Sequence, residues 1–131
     1  MRALAVLGLA VFAGGAAAAD DAALLRRGEQ VYARCAGCHS IEQHRTGPAH
    51  CGLFGRKSGT APGFQYYSPA LRAAGITWDD KSLARFLADP MTVVPGTTMT
   101  YLGVTDAGDR TALVAWLRSS TRPGQACKLP G

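Results

Sequence analysis

The sequence predicts an all-α fold: one small helical domain with helices at both ends and looped segments between them. Apolar residues fall at helical spacing in four segments, Gly and Pro punctuate the stretches between, and no segment alternates like a half-buried strand. With 131 residues the chain has room for one such domain and not for two.

The N-terminal segment stands apart from that domain. Arg2 supplies a positive start, Leu4 to Phe12 form an apolar stretch, and Ala17-Ala18-Ala19 offers small residues for cleavage. This layout reads as a secretory signal peptide over residues 1–19, cut after Ala19. The apolar stretch falls short of the roughly 20 residues that span a bilayer, so no stable membrane insertion is expected after cleavage. The folded domain is expected over residues 20–122, followed by a Pro- and Gly-containing C-terminal tail, 123–131.

Within the domain, Ala22 to Cys38 reads as the first helix, with Leu24, Leu25, Val31 and Tyr32 near helical spacing and Asp20 and Asp21 at its positive end. Gly28 weakens that helix by propensity and marks a place where another element packs closely. From Ser40 to Ser68 there is little periodicity and much Gly and Pro, a looped length that a compact domain rarely carries without a reason. Ser68-Pro69 opens a short helix to about Ala74, with Ser as the cap and Pro in the first helical position. Thr77 to Asp89 forms the next helix, with Leu83, Phe86 and Leu87 on one face and Pro90 as its stop. Met91 to Leu102 reads as irregular. Thr105 is expected to cap a last helix to about Ser120, with Leu113, Val114, Trp116 and Leu117 as its apolar residues.

Lys and Arg number 14 against 9 Asp and Glu, a formal net charge of +5. Loss of Arg2 with the leader leaves thirteen basic residues against nine acidic ones. These basic residues are scattered and form no run interleaved with aromatics, so nucleic acid is not an expected partner. A chain this short buries a thin core, and a large apolar cofactor would supply much of what it lacks.

Cys35-Ala36-Gly37-Cys38-His39 names that cofactor. Two cysteines separated by two residues and followed at once by His form the attachment signature of c-type haem. Each thiol adds to a vinyl group, and His39 becomes the proximal ligand of the iron. A zinc site would require two further ligands at suitable spacing, and no second C-x-x-C or H-x-x-x-H is present. A redox dithiol would sit in a βαβ setting, whereas Val31-Tyr32-Ala33-Arg34 looks helical. The long looped middle then has its reason, because it wraps a flat ring.

The second axial ligand decides the chemistry. A thioether keeps the iron six-coordinate and raises the potential, His lowers it, and an open position admits small ligands. The candidates by spacing are Met91, Met99, His44 and His50. Met99 lies in the irregular stretch Pro95-Gly96-Thr97-Thr98-Met99, which can present a side chain edge-on to a metal. Met91 directly follows Pro90, where packing is the commoner role, and His44 is only five residues past His39. Spacing favours Met99 and leaves the others open.

From Gly28 to about Thr121 the chain resembles the class I c-type cytochromes, close to mitochondrial cytochrome c and its bacterial periplasmic counterparts. The pieces that carry the resemblance are Cys35 to His39, Thr46-Gly47-Pro48, the run Gly52-Leu53-Phe54-Gly55-Arg56-Lys57-Ser58-Gly59, Gly75-Ile76-Thr77-Trp78, Pro95 to Met99, and Leu113-Val114-Ala115-Trp116-Leu117. The resemblance implies a cytochrome c-like small helical domain wrapped around one covalent haem c, with Met99 as distal ligand. It implies that the Pro48 carbonyl accepts the ring N–H of His39. It also implies that Arg56, Tyr66 and Trp78 surround a buried haem propionate, a carboxylate that needs donors or a cation. Gly28 and Tyr32 would meet Leu113 and Trp116 where the terminal helices cross.

Several positions depart from the family pattern. Phe86 stands where many members have a Tyr whose hydroxyl touches the Met sulfur, and Phe64 replaces a common Tyr. Tyr101 keeps an aromatic ring beside the haem edge. Met91, Thr92 and Thr98 occupy positions where mitochondrial-type members carry Lys, and Asp106 and Asp109 add negative charge. A docking face less sensitive to salt is therefore expected. Of the four cysteines, Cys51 and Cys127 remain. Two spare thiols in an oxidising compartment usually pair, and the family fold would bring their segments together, so a Cys51–Cys127 disulfide is expected.

The expected function is that of a monomeric, periplasmic, monohaem electron carrier, not an enzyme, that shuttles single electrons between redox protein partners. Two alternatives remain at this stage. One is a haem peroxidase or gas-binding sensor with a labile Met ligand, and the other is a dedicated electron-accepting subunit of one dehydrogenase.

Overall fold

The first helix, α1 (Gly15–Tyr32), begins in an Ala-rich run, and its helix-forming residues carry it seven residues further upstream than Ala22. This start was not expected. In the uncut chain Asp20 and Asp21 lie inside this helix, whereas after cleavage at Ala19 they would stand at its N-terminus. The computed structural model describes residues 15–124 and Cys127. Most of the expected signal peptide, and all of the tail beyond Gly124 except Cys127, lie outside the described residues.

At its other end α1 stops at Tyr32, short of the Cys38 that periodicity suggests. The chain tightens there into successive i→i−3 turns: Arg34 N–H donates to the Val31 carbonyl, Cys35 to Tyr32, and Cys38 to Cys35, at 2.8–3.1 Å. Only Gly28, Val31 and Tyr32 of α1 are buried. They face α5 (Ala107–Ser120), and the crossing of these two helices is the main interhelical contact. The cap of α5 is Asp106 and not Thr105: the Asp106 carboxylate accepts from the Asp109 N–H at 2.7 Å, the stronger of two adjacent capping choices.

Between the terminal helices lie three short ones. α2 (Pro69–Ala73) starts as expected, with the Ser68 hydroxyl accepting from Leu71 N–H. α3 (Asp80–Ala88) opens with a capping box between Asp79 and Ser82 and buries Leu83, Phe86 and Leu87. Pro90 does end α3, but it also begins α4 (Pro90–Val93), a single turn capped by Asp89 in a stretch expected to be irregular.

The long segment from Ser40 to Ser68 has no helix. One antiparallel bridge, Lys57 to Thr77, fastens it. Ser58 N–H bonds to the Ile76 carbonyl at 2.7 Å, and Trp78 N–H to the Arg56 carbonyl at 3.0 Å. These bonds set Arg56 and Trp78 side by side. Cys51 and Cys127 are joined as a disulfide with Cα atoms 5.6 Å apart, and both residues are buried. Among the described residues there are no strands beyond that bridge, and no helix is long and apolar enough to cross a membrane.

Candidate functional site

The core is not closed. Leu53, Trp78, Leu83, Phe86, Leu87, Leu113 and Leu117 belong to one buried cluster, yet each also lines a cavity of about 450 Å³. That size lies within the usual range for a cofactor pocket.

His39 is anchored from below by sequence-local geometry. Its N–H donates to the Cys35 carbonyl at 2.9 Å, continuing the turns after α1. Its ring Nδ1 lies 2.8 Å from the Pro48 carbonyl oxygen. A carbonyl only accepts, so Nδ1 carries the proton and Nε2 presents a free lone pair. Burial pushes the His39 pKa below the ordinary imidazole value, against the pull of the Pro48 carbonyl, and this keeps the ring neutral. Gly47 lies so near that a Cβ there would come within 2.7 Å of Nδ1. The glycine is required by close approach.

Cys35 and Cys38 are free thiols beside this ring. Cys35 is half-buried, and burial raises its pKa to about 11; Cys38 is exposed. Both line the cavity, as do Pro48, Arg56, Trp78 and Met99. Met99 packs partly buried against the core, with Thr97 turning back so that its hydroxyl accepts from Met99 N–H at 3.2 Å.

The other axial candidates are placed differently. His44 is committed at both nitrogens, Nε2 to the Pro62 carbonyl and Nδ1 to Ala49 N–H. Met91 is exposed and does not line the cavity. His50 does line it, but its ring stacks on His39 with centroids 4.3 Å apart, so it occupies the same side as that ring. Burial, with His39 and Arg56 adding to it, holds His50 well below the ordinary imidazole pKa.

Arg56 is partly buried and donates to the Cys51 and Ala49 carbonyls at 2.9 and 3.3 Å. Burial lowers its pKa. Trp78 is buried against Phe86, ring centroids 5.0 Å apart. Tyr66 lines the cavity while 82% exposed, and its neighbour Tyr67 lines it too and is the more buried of the two. The Tyr67 hydroxyl accepts from Ala61 N–H at 3.1 Å. Sequence reasoning passed over Tyr67, which stands beside Tyr66 on the same cavity wall.

This donor set fits a covalent haem. Two thiols, an imidazole with a free Nε2, a thioether, apolar walls and an inward guanidinium all meet one cavity. Among the described residues no three His, Cys, Asp or Glu gather into a protein-only metal site, which leaves a zinc reading without ligands.

Comparison with known proteins agrees. A family model described as Cytochrome c matches residues 25–121. The chain is 42% identical over 124 residues to cytochrome c2 of Blastochloris viridis, covering 91% of this chain and 94% of that protein. It is 39% identical over 90 residues to cytochrome c2 iso-2 of Magnetospirillum fulvum, covering 67% of this chain and 93% of that one. Among solved structures, cytochrome cH from Methylobacterium extorquens superposes with a TM-score of 0.70 at 36% identity, over 72% of this chain and 97% of that one.

Proposed function

The chain belongs to the cytochrome c family, and from that premise we propose that it shuttles single electrons between larger redox complexes in the periplasm, as a carrier and not an enzyme. It binds one covalent haem c and is a monohaem electron carrier. When bound, the haem supplies a one-electron couple.

The protein's part is attachment, ligation, charge compensation and the exclusion of water. Cys35 and Cys38 offer the two thiols for thioether bonds. His39 offers Nε2, with the tautomer fixed by the bond from Nδ1–H to the Pro48 carbonyl. Met99 brings a soft thioether that favours the ferrous state. Arg56, Tyr66 and Trp78, all on the cavity wall, are the donors for a buried propionate. Leu83, Phe86 and Leu87 keep the cavity dry. Partners are redox proteins that approach the cavity mouth, where Cys38, Thr98 and Thr100 are exposed and uncharged.

The observation that carries this reading is the free Nε2 of His39 in the same apolar cavity as Met99 and two unpaired thiols. A redox-controlled optical titration of the holoprotein tests it. Expected are a weak far-red band from ferric iron–sulfur bonding, lost in Met99→Ala, and a positive midpoint potential. Absence of that band, with a low potential and spectral shifts on adding small ligands, would point to an open or differently ligated site.

A further inference from the structure

The stack between His50 and His39 has no use in the function so far described. An aliphatic side chain would fill the same space without a part-buried polar group, which is costly unless hydrogen-bonded. Here the polarity is provided for. His50 Nδ1 shares a 3.1 Å hydrogen bond with the Tyr32 hydroxyl, and the two rings meet edge to face at 5.7 Å. Tyr32 in turn lies on Trp116 with centroids 4.6 Å apart, at the crossing of α1 and α5. On its chain side, His50 is held by its own N–H to the Ser40 carbonyl at 3.0 Å and by the disulfide at Cys51. The imidazole is therefore clamped, and its face lies 24° from parallel with the His39 ring.

We propose that His50 is a positioning residue for the axial imidazole, fixing the plane of the His39 ring by stacking and favouring the oxidised form of the site. The Pro48 bond secures one edge of His39 and sets its tautomer, whereas the stack resists tilting of the ring plane. The face of an aromatic ring is electron-rich. When Nε2 donates to ferric iron, the His39 ring gains positive character, and the His50 face stabilises it as it would a cation. The ferrous state gains less from the same contact. This inference rests on His39 being the axial ligand.

The test uses the holoprotein and three substitutions, His50→Leu, His50→Phe and His39→Ala, with two readouts: the ferrous-to-ferric ratio at a fixed poise, and the paramagnetically shifted proton resonances that report the orientation of the axial ring plane. His50→Leu is expected to raise the ferrous-to-ferric ratio by about two- to fivefold, the range for a contact of this class, and to rearrange the shifted resonances. His50→Phe keeps a stacking face and should stay near wild type in both. Should the Leu variant fail to yield folded holoprotein, His50→Gln, polar but not aromatic, is expected to move both readouts in the Leu direction. Equal behaviour of the Phe variant and the Leu or Gln variant overturns the inference. If His39→Ala loses the six-coordinate spectrum while His50→Leu changes nothing, only the stacking role falls. If His39→Ala keeps that spectrum, the axial reading falls and the stacking role with it.

Discussion

Gly28 on α1 rests directly against the backbone of Ala112 on α5, and a Cβ at Gly28 would come within 2.8 Å of the Ala112 carbonyl carbon and collide with the Trp116 side chain. The helices cannot part locally, because Tyr32 is stacked on Trp116 one turn further along. Gly28→Ala improves intrinsic helix propensity yet forces overlap with backbone. The overlap wins: a loss of about 1–3 kcal/mol is expected, read as a lower denaturation midpoint with an unchanged slope.

The two adjacent tyrosines should separate cleanly. Tyr67→Phe strips Ala61 N–H of its acceptor in a part-buried turn, at a cost of about 1–3 kcal/mol. Tyr66→Phe touches an exposed ring in the haem-free chain and should there stay within about 0.5 kcal/mol of wild type. Equal effects of the two substitutions in denaturant titrations would mean that the Tyr67–Ala61 hydrogen bond contributes nothing measurable.

The disulfide closes a span of 76 residues. In the chain-entropy account, a loop of this size contributes roughly 4 kcal/mol, most of it by restricting the unfolded chain. Cys51→Ala with Cys127→Ala should lower the midpoint accordingly, and the wild-type protein in strong reductant should approach the double variant. A midpoint indifferent to both would mean that buried packing alone holds the tail.

Asp109 ties α5 to Arg27 of α1 at 2.9 Å and to Arg34, in the turns after α1, at 3.0 Å. The hydrogen bond from Arg27, and after it that from Arg34, hold the Asp109 carboxyl below its ordinary pKa. A depressed carboxylate adds stability that is full above the unfolded value of about 3.9 and is lost as the pH falls through the lower, folded value. Asp109→Asn should therefore lower the thermal midpoint at pH 7, and the gap from wild type should close as the pH drops below about 4. High salt should narrow it too, since these groups are near the surface. A gap constant across that pH range would assign Asp109 a role other than its charge.

What the sequence determined by itself is the chemistry that neighbours along the chain can express. Cys35, Cys38 and His39 lie within five residues, and a tight turn is enough to bring their side chains to one side. Ser68-Pro69 caps a helix through its own next turn, and Pro90 stops α3 because it lacks an N–H. Helix ends were less legible. Alanines extended α1 upstream, and Asp106 outcompeted Thr105, because adjacent capping choices differ by little energy. The four axial candidates were separated only by the path of the chain. Backbone bonds from His50 to Ser40 and from Cys51 to Ile41 fold the loop back on itself, which lays His50 on His39, while His44 is captured by Pro62. Tyr66 and Tyr67 are brought to the cavity's wall in the same way. Local hydrogen bonds and propensities are written in adjacent residues, but which distant groups meet depends on close packing around a cavity that no short segment contains.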